Sequence, residues 1–465
     1  MGLIQTIKGW VNMLLKRKAE DEFLVDAINT DTMDKFIKQC VQIYQGKPEW
    51  LDEKDHVKTI NFAKSICSEV ARLATLAIGI TVDGSARADW LQQKIENVYF
   101  NLRHWVEYGC VYGTVILKPN GTGIDLFTPD RCVNDKITGV IFYFSEKVKK
   151  DLWYTRLEYH RFADDGSYLI DNVCYEGKSK DDTYKKVDIS ETPWNGLLES
   201  AVIGGIEHPL YGVLRTPQAN NIDISSPLSM PIFAEAIEEL KDLDIAYSRN
   251  SKEIVDSKRT VLMDSDKLFP FQSSELFRLD PTIAAGKMKE KMGMPDYVKV
   301  VEGNGSDDFY QEINPTLQTQ TRLDGINAIL SQIGYKIGFS NGYFVFNQKT
   351  GMVTATQVES DDRRTIQFIK DVRDKLEDCL DDTIYALDVM ATLYGLAPSG
   401  TYEVTYDFGD ITYNREEDRL RWWQYVQAGK VPAWMFFEKF EGMSEEEAKA
   451  MVDEAKPKEE MLFPE

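Results

Sequence analysis

Histidine, cysteine and paired carboxylates are the residues from which catalytic and metal centres are built, and this chain arranges them sparsely. Its four histidines, His56, His104, His160 and His208, are widely spaced. His104 and Cys110, towards the end of one helical stretch, form the best base-and-thiol pair, although a polar helix edge beside a small buried thiol is the plainer reading. Glu158 and His160 alternate onto one face of a predicted strand, and Asp264 with Asp266 forms an Asp-x-Asp in a predicted loop. Each is a minimal metal pair, set against the plainer readings of a solvated strand face and a loop turn. Neither a glycine-rich phosphate loop ending in Gly-Lys-Ser/Thr nor a dinucleotide-binding fingerprint occurs. The expectation is a protein with no catalytic residues, no metal and no cofactor, and not an enzyme.

Six cysteines (Cys40, Cys67, Cys110, Cys132, Cys174 and Cys379) include no CxxC pair, which points to neither a disulfide framework nor a zinc site and makes a reducing cytosol the place of synthesis. The 465 residues are 43% hydrophobic, enough to bury a sizeable core. A formal charge of -22, from 76 acidic against 54 basic residues, is the opposite of what a protein gripping phosphates over a broad surface carries. The same charge suits a conduit through which a polyanion slides without being held.

No stretch approaches a membrane span, and the N-terminus lacks a signal-peptide layout. Gly2 to Lys18 instead reads as an amphipathic helix with Leu3, Ile7, Trp10, Val11 and Leu14 on one face, expected to dock on protein rather than on a membrane surface.

These residues need elements to position them. Residues 55–77 and 88–108 carry apolar positions at helical spacing. From Gly113 to Val133 the period becomes two around Pro119-Asn120-Gly121-Thr122-Gly123, a hairpin signal, and strands follow at 139–145, 153–162, 168–175 and 212–215. Pro231 opens a helix running to about Lys258. Residues 259–312 read as a small mixed module with strands at 260–263 and 297–301, and 315–337 as a further helix. Gly334, Gly338, Gly342 and Gly351 surround the aromatic-rich Tyr343-Phe344-Val345-Phe346, a loop between two long helices. From Thr354 to Tyr394 no Gly or Pro interrupts a helical period, which gives a rod of roughly 60 Å. On it Ile369, Val372, Leu376, Leu380 and Leu387 form a stripe, and the length favours packing of copies side by side. A strand at 402–411 and helices at 415–428 and 444–455, with a short one between them, complete an α+β chain.

In the order of these elements and in several short motifs the chain resembles the portal proteins of tailed bacteriophages, of the Gram-positive siphophage type. The carriers are Glu107-Tyr108-Gly109-Cys110-Val111-Tyr112-Gly113 leading into Thr114-Val115-Ile116-Leu117, then Phe127-Thr128-Pro129-Asp130. Phe233-Ala234-Glu235-Ala236-Ile237 through Leu243-Asp244 and Thr350-Gly351-Met352-Val353-Thr354-Ala355-Thr356-Gln357-Val358 add to them.

The resemblance implies a portal fold: an N-terminal helix and α+β wing (1–227), stem helices (228–258 and 313–339), a small mixed α/β clip (259–312) and a tunnel loop (340–352). A long channel-side helix (353–396), a strand returning to the wing (397–414) and a helical crown (415–465) follow. It implies a ring of about twelve copies at one capsid vertex, assembled in the host bacterial cytoplasm, through which double-stranded DNA is packaged and ejected. The implied partners are the large terminase, the head completion (adaptor) protein, and the major capsid and scaffolding proteins, with no membrane. Asn341, Gly342, Asn347, Gln348, Lys349 and Thr350 would face DNA; Lys252, Lys258 and Arg259 would face DNA or a neighbouring subunit; and the stripe on the long helix would pack subunits together. Competing readings are another structural virion protein, such as a capsid or connector subunit, and a cytosolic enzyme using the α+β unit.

Overall fold

The computed structural model describes residues 15–27, 31–51, 56–134, 139–179, 184–257, 260–264, 298–301, 310–313, 318–346, 355–409, 415–441 and 443–454. The chain is mixed α+β. It divides into two compact units, Met1–Ala74 with Thr81–Val404, and Thr75–Ile80 with Thr405–Glu465.

The first unit opens with helices α1 (15–23), α2 (Asp31–Tyr44) and α3 (Phe62–Ala74); strand β1 (Gly79–Asp83) follows, its first two residues assigned to the second unit and the rest to the first. Helices α4 (Ala86–Glu96) and α5 (Tyr99–Tyr112) stand where the sequence reads one helix over 88–108. The single apolar period runs across both, but Asn97 closes α4 and the Val98 amide bonds back to Ile95, so the chain turns without a Gly or Pro to announce it. The Ser85 side chain caps the start of α4 by accepting from the Arg87 amide.

Strands β2 (Thr114–Pro119) and β3 (Ile124–Phe127) form the expected hairpin. Asn120 accepts from the Thr122 amide at 2.9 Å and from the Gly123 amide, an Asx turn that closes the loop locally. Strands β4 (Cys132–Asn134), β5 (Val140–Lys149), β6 (Leu152–Phe162), β7 (Tyr168–Gly177) and β8 (Lys185–Val187) follow in spatial order, with β9 (Ser200–Ile203) also pairing β7. Strand β10 (Gly212–Arg215) pairs antiparallel with β2 and so completes a β10-β2-β3 sheet. Leu15 and Ala19 of α1 pack on Val133, Ile141, Leu157 and Tyr175 of the larger sheet, while Ile116, Phe127, Phe142 and Tyr211 fill a second core.

Helix α6 (Ile237–Asp256) leads to β11 (Thr260–Asp264), β12 (Val298–Val301) and β13 (Tyr310–Ile313). β11 is central in this small sheet, parallel to β12 and antiparallel to β13. Helix α7 (Thr319–Ile337) returns along α6, for Glu253 pairs with Arg322 near one end and Glu239 with Lys336 at 2.6 Å near the other. The 39-residue helix α8 (Ala355–Leu393), about 58 Å long, packs on β10, β2, α3 and α4.

That packing corrects the expected role of the stripe. Ile369, Val372, Leu376, Leu380 and Leu387 are each no more than 5% exposed within the single chain, so they hold α8 to its own sheet and helices and leave nothing for a second subunit. The contact is close: a Cβ on Gly212 of β10 would lie 2.0 Å from the Cys379 carbonyl oxygen of α8. Only a glycine lets strand and helix approach this way.

Strand β14 (Glu403–Asp407) pairs with β1. In the second unit, helices α9 (Arg415–Gln427), α10 (Ala433–Glu441) and α11 (Glu445–Glu454) gather Trp422, Trp423, Phe436 and Phe440 into ring contacts, with Lys439 over Trp422 at 4.3 Å.

Candidate functional site

The segment between α7 and α8 is held by its own first residues. Helix α7 ends at Gly338, whose φ of +117° is left-handed, and a Cβ there would press on the Phe368 ring at 2.9 Å. Phe339 is fully buried and touches the rings of Tyr343, Phe344 and Phe368, and Phe62 of α3 meets Phe344 edge-on at 5.3 Å.

Polar bonds fix the same root. The Ser340 amide donates to the Thr365 hydroxyl at 2.9 Å, and the Thr365 hydroxyl donates to the Ser340 hydroxyl at 3.0 Å. Tyr343 donates to Glu69 of α3, which also accepts two bonds from Arg72, at 2.9 and 2.6 Å. The Arg72 hydrogen bond is the largest influence on the Glu69 carboxyl, and with Tyr343 it holds that carboxyl below its ordinary range against burial. The Phe346 amide donates to Asn327. Residues 338–346 therefore form an anchored platform on α3, α7 and α8.

On this platform Asn341 is exposed and Gly342 adopts a φ of +88°. Asn347, Gln348, Lys349 and Thr350 lie outside the described residues, as do Lys258 and Arg259. Lys252 is exposed on α6. The aromatic run at 343–346 is visible in the sequence, but its anchors Phe62, Glu69 and Arg72 are not, because nothing local relates three residues on α3 to a loop far along the chain.

A second polar centre lies inside the large sheet. Glu158 and His160 are 5% and 2% exposed, which corrects the solvated strand face expected of them. Lys118 at 2.7 Å and His160 Nε2, donating at 2.6 Å, share one Glu158 oxygen, and Arg156 meets the other. Burial alone would raise the Glu158 carboxyl, yet Lys118, His160 and Arg156 outweigh it and hold the carboxyl well below the ordinary range. Burial depresses the His160 pKa, so the ring is neutral; its Nδ1 accepts from Tyr168, whose oxygen accepts from the Leu210 amide. Both oxygens of this carboxylate are engaged by the protein, which suits a structural crossing rather than a reaction.

The other candidates separate. His104 is exposed whereas Cys110 is buried, so the two do not form a base and nucleophile; burial also raises the thiol above its ordinary range. Asp264 ends β11, and Asp266 is outside the described residues. Among the described residues no group of three or more His, Cys, Asp or Glu is placed to hold a metal ion, and no helix is long and apolar enough to cross a membrane. Set against protein-family models and against curated proteins, the sequence matches none.

Proposed function

We propose that this chain is the subunit of a phage portal, a ring at one capsid vertex that passes double-stranded DNA into and out of the head without an ATPase of its own. One observation carries the reading: the antiparallel pair α6 and α7, joined at one end by the β12-β11-β13 module, delivers the chain at the other into the anchored segment 338–346 and then into the 39-residue α8. In portal terms the pair is the stem, the small sheet the clip, the anchored segment the root of the tunnel loop, and residues 415–465 the crown.

The physics of the parts supports that use. A loop displayed by each copy around a ring multiplies weak contacts, and a rigid root lets every copy present its loop at the same height. A chain of charge -22 offers DNA little to adhere to. The missing phosphate loop assigns the energy of packaging to a partner, the large terminase, while the clip is the surface for the terminase or the head completion protein.

Negative-stain images of the purified chain test this directly: rings with a central hole are expected, and a monodisperse monomer at all concentrations removes the reading. Lys349→Glu in assembled particles is expected to change DNA packaging or retention while rings form normally. Unchanged packaging and retention would withdraw Lys349 from the channel.

A further inference from the structure

With its apolar stripe turned inward, α8 can meet another molecule only through its opposite face. There Asp374, Asp378 and Asp381 are exposed and Glu377 and Asp382 half-buried, with Lys375 the one exposed cation among the described side chains of residues 371–382. Lys375 pairs with Asp378 at 2.9 Å and His208 lies 3.6 Å from Asp382, so the face keeps an acidic excess with part of it already met within the chain; burial and then Asp374, Asp381 and Asp378 push the Glu377 carboxyl up.

The opposite sign collects at one end of the large sheet. The β5–β6 hairpin carries exposed Lys147, Lys149 and Lys150. Register places Lys147 beside Trp153 and Trp153 beside Gly177, which Lys178 follows, while Lys185 and Lys186 of β8 stand beside Glu176 and Tyr175. Among the described residues of this end, Lys147, Lys149, Lys150, Lys178, Lys185 and Lys186 stand against Glu146, Asp151, Glu176 and Glu22, the last of which already receives Lys186. The cations are all lysines, compact point charges that favour diffuse attraction over bidentate recognition. Val148 and Tyr184, 45% and 82% exposed, add apolar area at the same place.

We propose that these two surfaces are the halves of one contact between copies, with the lysine-rich end of the sheet in one copy docking on the acidic face of α8 in the next. Charge complementarity selects the occupant, since a chain of charge -22 that carries a basic pole is matched by a second copy of itself. Two different patches can meet reciprocally in a closed two-fold dimer or run head-to-tail from copy to copy, and the head-to-tail arrangement closes into a ring when the rotation permits. Closure rests on the portal reading; the contact itself needs only a second copy.

Paired charge reversals in the full chain test it by sedimentation. Lys149→Glu, Lys150→Glu and Lys185→Glu together, and separately Asp374→Lys with Asp378→Lys, should each raise the concentration for half-assembly by about tenfold or more, as should raising salt from about 0.05 to about 0.5 M. Equal mixtures of the two variants should recover assembly, because each then offers what the other lacks, and circular dichroism should show both folded. Wild-type rings that neither reversal weakens, or a loss that mixing does not restore, overturn the contact and leave the portal reading standing. Lysine reversals that abolish binding to duplex DNA but leave assembly intact overturn it in favour of a nucleic-acid surface. A closed two-fold dimer weakened by both reversals upholds the contact and removes the ring.

Discussion

Glu158 shows how much one carboxylate decides. It pairs with both Lys118 and Arg156 inside the sheet and accepts a hydrogen bond from His160 Nε2. Glu158→Gln leaves two buried cations uncompensated and is expected to lower unfolding free energy by about 3 to 5 kcal/mol, read from urea midpoints. The pH dependence follows from the two directions of shift. The folded Glu158 pKa is depressed, so its contribution is present above the unfolded carboxylate pKa and is lost as pH falls through the folded one. The folded His160 pKa is also depressed, so the unfolded chain gains its histidine proton first and destabilisation begins as pH drops below the ordinary imidazole range. Wild type should lose stability steadily from neutral pH into acid, and Glu158→Gln should lose less across the carboxylate range. Equal slopes for both proteins in that range would mean that other carboxylates dominate.

At the scale of elements, two buried arginines tie helix ends to α8. Arg87, 2% exposed, donates to the carbonyls of Asp388, Ala397 and Pro398, and also meets the Asp388 carboxylate at 3.2 Å. Arg373, 7% exposed, donates from α8 to the Leu73 and Ala74 carbonyls at the end of α3. Arg373 supplies donors to carbonyls left over at the end of α3, and Arg87 supplies them to two loop carbonyls beyond α8 and to the Asp388 carbonyl near its end, which the Thr392 hydroxyl also meets; both place a cation on the favourable side of the dipole. Arg87→Met should cost about 2 to 4 kcal/mol by stranding buried carbonyls, and Arg87→Lys should recover only part, since one ammonium cannot span three acceptors. Full recovery by lysine in thermal unfolding would reduce Arg87 to a charge. Gly212→Ala forces β10 off α8, so it is expected to destabilise by about 1 to 3 kcal/mol in the same measurement.

For the whole molecule the charge balance makes the sharpest claim. On the portal proposal the purified chain should leave duplex DNA unshifted in gels at about 0.15 M salt, whereas a binder contacting several phosphates shows affinity that falls steeply with salt. Tight, salt-sensitive retention of linear duplex by the purified chain would contradict a slippery wall. Membrane association is a separate matter: Gly2 to Leu14 carries most of the amphipathic N-terminal pattern and lies outside the described residues, while residues 15–23 pack as α1 on the large sheet through Leu15 and Ala19.

The sequence by itself determined what local chemistry controls. The hairpin at Pro119–Gly123, the strands β5, β6 and β7 of the large sheet, the uninterrupted length of α8 and the glycine that ends α7 follow from turn residues, hydrophobic period and the absence of breakers, all of which act over a few positions, whereas the short β8 and β9 carry no such signal. Tertiary structure decided which surfaces those elements share. The Glu158 and His160 pair has the same spacing whether its strand face is wet or covered, and only the packing of Tyr168, Phe142 and Tyr211 around His160 made it buried. The stripe on α8 has the same period whether it faces a neighbour or its own β10, and Gly212 at the contact made the second possible. Arg87 finds its acceptors 301 to 311 residues away, a separation over which spacing carries no information. Periodicity shows that a face is apolar; only the folded chain shows what covers it.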